Sequence, residues 1–370
     1  GGMLHLTGHA FTVFVLLASS LMAAATGSSI GTLLAAMPIF FPAGVALGAD
    51  PAMLAGAVLS GAIFGDNLAP VSDVTVISSV TQRFRDGTPA DIAGVVRTRL
   101  PYAMTALAVS MPVYAFMGAS RPVSEAALSG DASALLMLVP VAVLIAVAVR
   151  TRDVLMAISA GAVTGTATGL LIGRLSFATI FAADDGRLSG FLISGISNVS
   201  PIILLCVTLF AFTGIVREAG VPDMMAKALE AGSAGRPSAL RTELFLSAAT
   251  LVVTTLFAAV TSASVALVGS LTDDIGRASN VHPYRRSHIL SGLANSLPVL
   301  MPFSAFVLIT MAAVSGLEGA AAVTPFTLMT AAFYPIALFL VFGFMVLTGT
   351  GRMMETPEPE AAEAKTATAL

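Results

Sequence analysis

Two aspartates seven residues apart, Asp66 and Asp73, lie in the run "SGAIFGDNLAPVSDVTVISS" (60–79), which is otherwise apolar, small or neutral polar. An ionisable side chain deep in a bilayer costs about 2.5–3.5 kcal/mol on insertion scales, and it faces a bundle interior or a water-filled cavity. Seven residues are two helical turns, so an unbroken helix would set both carboxylates on one face. Pro70, between them, opposes that helix. It donates no N–H, and its ring clashes with the carbonyl four residues back, which is that of Asp66. The expected result is a carboxylate beside a freed backbone oxygen at a break from Gly65 to Pro70. Asn67, Ser72 and Thr75 add neutral oxygens. A hard cation such as Na+ takes this oxygen set. A carboxylate also takes up a proton, so Na+ and H+ would compete for one site. Competition combined with alternating access gives antiport.

A second cluster, "ATGSSIGT", places Thr26, Ser28 and Ser29 around a glycine. Hydroxyls in membrane helices commonly bond back to their own backbone. Here the cluster is echoed at Thr261, Ser262 and Ser264, which predicts unwound backbone lining a cavity. In the later run 287–313, Pro298 and Pro302 predict another break, with Asn295, Ser296 and Ser304 as lining residues. That run carries no acid, so the charge chemistry is expected to be asymmetric. Asp273 and Asp274, near Arg277, read as a solvated cap, and Arg285 and Arg286 as the mark of an aqueous boundary. No Lys or Arg is read deep in an apolar run. No resident cofactor is expected, Na+ and H+ being transported ions.

The elements that must position these residues follow from composition. Of 370 residues, 56% are hydrophobic and 11% charged, more apolar surface than a water-soluble protein can hide. The runs Leu135–Val149, Val154–Gly173 and Phe326–Leu347 approach or reach the length that crosses a hydrocarbon core of roughly 30 Å. Segments of ~10 alternating residues, which a barrel requires, are absent. The fold class is an all-α polytopic membrane protein with about ten or eleven hydrophobic passes. The single cysteine, Cys206, excludes an internal disulfide. Membrane lipids are the expected surroundings, and nothing points to nucleic acid.

Basic residues cluster in alternate loops, at Arg83–Arg99, Arg150–Arg152, Arg217–Arg241 and Arg277–Arg286, which places those loops in the cytoplasm. The polar tail 351–370 is expected to be disordered and cytoplasmic. The opening "GGML" has no basic segment or cleavage site, and the expectation is that N-terminal spans of the parent protein precede it.

"ATGSSIGTLLAAMPI" (25–39) is echoed by "VTSASVALVGSLTDD" (260–274), and residues 53–78 by 287–310. An odd number of crossings separates equivalent elements, so the halves would run in opposite directions. That is the inverted-repeat plan of secondary transporters, with broken or re-entrant helices meeting at a site near the midplane. The expected division is a first repeat over 1–100, connecting helices over 101–189, a second repeat over 190–350, and the tail.

These segments resemble the NhaC-type Na+/H+ antiporter family. Its signature, Gly-Asp-x-x-(Ser/Ala)-Pro-x-Ser-Asp-Thr, is matched by Gly65, Asp66, Ala69, Pro70, Ser72 and Asp73. Val74 stands where Thr is common, with Thr75 next. The family's Thr-Gly-(Thr/Ser)-Ser element matches Thr26 to Ser29, and its later Ser-Gly span ending in a Pro-aromatic pair matches Ser291 to Phe303. The resemblance implies an ion-driven exchanger of a bacterial inner membrane, with a homodimer among the expected states. One departure is Ser291 or Gly292, near where some relatives carry Asp.

Two transport readings follow: Na+/H+ exchange at Asp66 and Asp73, and a Na+- or H+-coupled exchanger of a small organic anion or amino acid, of malate–lactate type. Half-helix N-termini and hydroxyls suit a carboxylate too. An intramembrane aspartyl protease would place its two acids on separate helices, whereas both lie here in one broken span. A non-enzymatic role is therefore expected.

Overall fold

A computed structural model describes residues 8–119, 136, 138–151, 153–173 and 238–355, with scattered positions between 175 and 220. Residues 190–216, an apolar run that reads as one pass, and the tail beyond Glu355 lie largely or wholly outside the described residues. The chain is an all-α polytopic membrane protein. Five described helices are long and apolar enough to cross a bilayer, or up to seven if each of two sharply bent pairs is counted as one span.

The first element is a helical hairpin. Helix α1 (Gly8–Thr26) turns at Gly27 into α2 (Ser29–Ala46), which runs on through Pro38 and Pro42. Gly27 adopts φ +67°, and a Cβ there would come within 2.9 Å of the Ser72 nitrogen, so conformation and packing both require glycine. Ser28 caps α2, accepting from the Gly31 N–H at 3.0 Å. Both arms open on one face, where Gly8 abuts Ala49 and Asp50 donates its N–H to the Gly118 carbonyl.

From that Ala49 face, α3 (Pro51–Leu68) starts behind its cap, Asp50, and runs alongside α1 in the same direction. Gly61 meets the Leu16 carbonyl and Gly65 the Ser20 carbonyl, a pair of small residues four apart that lets the two backbones touch. The chain breaks over 69–72, and α4 (Asp73–Val80) carries it on to the opposite face, at Gln82. The Gly27 turn packs against this break, so the hairpin stops short of the Gln82 face by the length of α4, roughly 12 Å. Helix α5 (Ile92–Met117) returns to the Ala49 face. Helices α6 (Leu138–Thr151) and α7 (Val154–Leu171) pack on each other, and β1 (Ala182–Asp184) and β2 (Arg187–Ser189) form a short antiparallel hairpin.

A second helical hairpin enters from the Gln82 face. Helix α8 (Ala239–Leu256) and α9 (Thr261–Ala278) have neighbouring outer ends, joined by a Thr242–Ser279 hydroxyl bond of 2.7 Å. At their turn Ala258 and Ala259 sit at φ +50° and +59°, left-handed values that cost non-glycine residues energy. Then α10 (Pro283–Ala294), a 3₁₀ turn (Leu297–Leu300) and α11 (Ala305–Val314) lead from the Gln82 face to the other, with a 51° bend. The two halves pair reciprocally: α2 packs on α11, and its counterpart α9 packs on α4. The two hairpins open on opposite faces.

The run 323–348, which reads as one pass, is broken by 56° between α12 (Pro325–Ala331) and α13 (Phe333–Thr348). Pro335 explains this, since it leaves the Ala331 carbonyl without its helical donor. Tyr114, fully buried, fills in: its hydroxyl donates to the Ala331 carbonyl (2.8 Å) and accepts from the Phe333 N–H (2.9 Å).

Candidate functional site

The two hairpin turns meet at a cavity of about 190 Å³. Gly27 to Ile30 enter it from the first turn, Ala259 to Ser262 from the second, with Ala305, Phe306 and Ile309 from α11. Asp66 and Asp73 line it from either side of the break. The N-termini of α2, α4, α9 and α11 all open on it. Each carries partial positive charge from unpaired N–H groups.

Asp66 is 4% exposed. Its Oδ2 accepts from the Ser29 hydroxyl at 2.6 Å, which ties the broken span to the tip of the first hairpin. Its Oδ1 makes no hydrogen bond, although the Ser72 hydroxyl approaches the carboxylate. Asp73 is exposed, and its Oδ1 accepts from the Val74 N–H at 2.8 Å in the first turn of α4. Asp66 therefore holds a buried oxygen free for a cation or proton, whereas Asp73 is partly satisfied by its own helix.

The other sequence candidates divide by position. Ser28, Ser29 and Thr261 line the cavity, as does Ser262. Ser72 lies behind Asp66. Thr26 donates back to the Met22 carbonyl, Ser296 to the Leu293 carbonyl, and Ser264 to the Thr261 carbonyl. Asn295, buried at the end of α10, leaves both amide atoms without a hydrogen bond and does not line the cavity. Gly65 serves helix packing, and Pro70 lies in the break. Pro298 begins the 3₁₀ turn, its carbonyl accepting from the Met301 N–H at 3.3 Å, and Pro302 follows it.

One expectation is corrected in detail. The Asp66 carbonyl is not freed by Pro70, because the chain tightens and the Ala69 N–H donates to it at 3.1 Å. The carbonyl without a helical partner belongs to Asn67. It is taken by Arg99 Nη1 at 2.7 Å, which also reaches Asn67 Oδ1 and the Thr75 hydroxyl, each at 3.2 Å. One guanidinium thus bridges the end of α3 and the start of α4. Asn67 and Thr75 are partners of Arg99 and do not line the cavity.

Arg99 was counted with the loop arginines, yet it is fully buried. Asp91 starts α5 by accepting from the Gly94 N–H, two turns before Arg99, so the side chain is carried inside. The signal in the sequence is "DIAGVVRTRLPY", a helix cap followed eight residues later by Arg99, with the apolar Val95 one turn before it on the same helix face. Among the described residues no carboxylate lies within salt-bridge distance of Arg99. Replacing Arg99 with Lys keeps the charge but loses the planar fork that serves several acceptors at once. We expect Arg99→Lys to lower transport roughly tenfold, as supporting contacts of this kind do, with Arg99→Gln lower still. Initial rates in vesicles at matched protein levels check this; equal rates for Lys and wild type would remove the bridging role.

One further reading changes. Asp273 is no solvated cap: it is buried and pairs with Arg286 at 2.9 Å and Arg277 at 3.5 Å. Arg285 and Arg286 start α10 at the Gln82 face with their side chains fully buried, Arg285 against Glu243 at 3.0 Å and Arg286 also on the Arg83 carbonyl at 2.7 Å.

Residues 3–119, which hold the first hairpin, the broken span and Arg99, match the Na+/H+ antiporter family. Over this stretch the chain is similar to that family. Two proteins named as antiporters are similar to the chain. The chain is 34% identical over 108 residues to the malate-2H+/Na+-lactate antiporter of Bacillus subtilis, covering 29% of the chain and 22% of that protein. It is 28% identical over 244 residues to the Na+/H+ antiporter NhaC of Alkalihalophilus pseudofirmus, covering 59% of the chain and 50% of that protein. An uncharacterised Haemophilus influenzae protein is 35% identical over 109 residues, 20% of its length. The chain thus spans at most half the length of these relatives.

Proposed function

We propose that the chain forms the ion-handling part of a secondary antiporter of the bacterial plasma membrane, in which Na+ and H+ bind in turn at Asp66. The observation that carries this reading is the free, buried Asp66 Oδ1 where a hairpin tip meets a broken span. A Na+ ion there would take Asp66, the Ser29 hydroxyl and oxygens of the opposing turn at Thr261 and Ser262. Asp73, on the exposed side of the break, serves as a secondary acidic group. A homodimer fits the same reading.

A second reading has its own support. Four helix N-termini on one cavity favour a negative charge, so a small carboxylate held at the turns while Asp66 takes the coupling ion is the alternative cargo arrangement. The malate–lactate relative makes it concrete.

The test is ion exchange in everted vesicles or proteoliposomes. A pH gradient is imposed, and Na+, Li+, K+, malate, lactate and amino acids are added in turn. Collapse of the gradient by Na+ alone is the expected result. Collapse only by an organic anion would replace the first reading with the second.

A further inference from the structure

Beneath Asp66, between α4, α5 and α10, lies a seam of buried polar side chains that the cation site does not use. Thr75, Ser78 and Ser79 face it from α4, Thr98 and Arg99 from α5, and Ser287, His288 and Ser291 from α10. The seam runs from the break toward the Gln82 face. Arg99 closes its inner end on Asn67 and Thr75. Ser287 and Ser78 are joined across it at 3.1 Å, and His288 Nε2 bonds the Thr98 hydroxyl at 2.9 Å. At its outer end Tyr284 bonds Asp91, the rings of Phe84, His282 and Tyr284 meet edge to face, and the Met353 carbonyl accepts from the His282 N–H.

The seam is closed, and its closure is incomplete in hydrogen bonds. Arg99 Nε and Nη2 and His288 Nδ1 are buried without partners, as is the Asn295 amide one helical turn beyond Ser291. Each such group carries a desolvation cost that closure does not repay. Between α4 and α10 themselves the direct side-chain bond among the described residues, Ser287 to Ser78, joins neutral hydroxyls, the weaker class, and past the end of α4 Arg286 Nη2 donates to the Arg83 carbonyl at 2.7 Å. Admitting water would satisfy every one of these groups, so opening is compensated here. The counterpart seam on the Ala49 face differs in degree: the buried sides of α2 and α11 are apolar apart from Ser29, Thr32 and Thr310, and its unpartnered groups are the two neutral hydroxyls of Thr32 and Thr310, with no guanidinium, imidazole or amide among them.

We propose that the α4–α5–α10 seam is the gate through which Asp66 communicates with the Gln82 face, opening by separation of α4 from α10. The gate rests on the antiport reading above for its purpose, but its opening is observable without transport.

Two measurements test it, both with Cys206 replaced by Ser. In the first, Ser291→Cys is exposed to a membrane-impermeant thiol reagent from each side in turn. Labelling is expected from the Gln82 side only. In the second, Ser78→Cys and Ser287→Cys are combined and oxidised. The cross-link is expected to stop exchange, to slow labelling of a third cysteine at position 291 by at least about tenfold, and to be reversed by a reductant. Oxidant should leave each single-cysteine variant as it was. If the double variant does not fold, the Ser291→Cys labelling decides alone. A Ser291→Cys thiol that stays unreactive from the Gln82 side while Ser262→Cys in the cavity is labelled from the Ala49 side overturns the gate. So does full exchange through the cross-linked protein. A protein that transports neither Na+ nor an organic anion, yet labels as expected, would sink the antiport reading and leave the gate standing.

Discussion

Asp66→Asn reduces coupled exchange to background and leaves the protein folded in the membrane. The amide keeps the shape of the carboxylate, and its oxygen still accepts from Ser29, so the tie between the hairpin tip and the broken span survives. What is lost is the negative charge and the proton-binding oxygen, the two properties that ion competition at this site requires. Stability is expected to hold or rise, because a buried charge with one unpartnered oxygen is costly. Asp73→Asn is the control. Asp73 is exposed and partly satisfied by its own Val74 N–H, so its loss should lower exchange only several-fold. Rates in proteoliposomes, beside the thermal midpoint of the purified variants, separate the two effects. Wild-type exchange in Asp66→Asn would reduce Asp66 to a structural residue and remove the proposed mechanism.

Glu243→Ala destabilises the protein by about 3–5 kcal/mol, the cost of breaking a buried ion pair. Glu243 is fully buried on α8, and its two oxygens accept from two guanidinium forks. Arg285 contributes Nε at 3.0 Å and Nη2 at 3.1 Å; Arg352 contributes Nε at 3.1 Å and Nη2 at 3.0 Å. Arg285 also donates to the Met345 carbonyl at 2.7 Å and the Thr350 carbonyl at 2.8 Å, so one carboxylate joins α8, α10 and the end of α13. Removing it strands Arg285, also fully buried, without a counter-charge, whereas Arg352 is part-exposed and turns to water. The thermal midpoint in detergent should therefore fall sharply in Glu243→Ala. Glu243→Leu combined with Arg285→Met should recover most of the loss, because a well-packed apolar pair replaces a buried ion pair at little cost. A double variant as unstable as the single one would show that the backbone bonds of Arg285, and not the charge pair, hold these helices.

The sequence by itself determined the membrane class, the break at Pro70 and the presence of an acid, Asp66, beside that break. Each follows from local chemistry: hydropathy is summed along the chain, a proline removes a donor wherever it stands, and a carboxylate is expensive in any apolar run. The pairing of "ATGSS" with "VTSAS" was legible for the same reason, because both are glycine- or alanine-bordered hydroxyl clusters. Only the tertiary structure decided how far each helix reaches. Helices α1 and α2 have the length of crossings, and nothing in their residues says that their turn stops against the break at Ser72. The break near Ala332 was hidden for a related reason: Pro335 is an ordinary helix breaker, but its freed carbonyl is satisfied by Tyr114, more than 200 residues earlier. Arg99 is the sharpest case. Its burial depends on where α5 begins and on acceptors supplied by Asn67 and Thr75, so a residue that reads as loop charge becomes the bridge across the site. Whether a charge is buried depends on which distant groups fold around it, and that information is not carried by its neighbours in the chain.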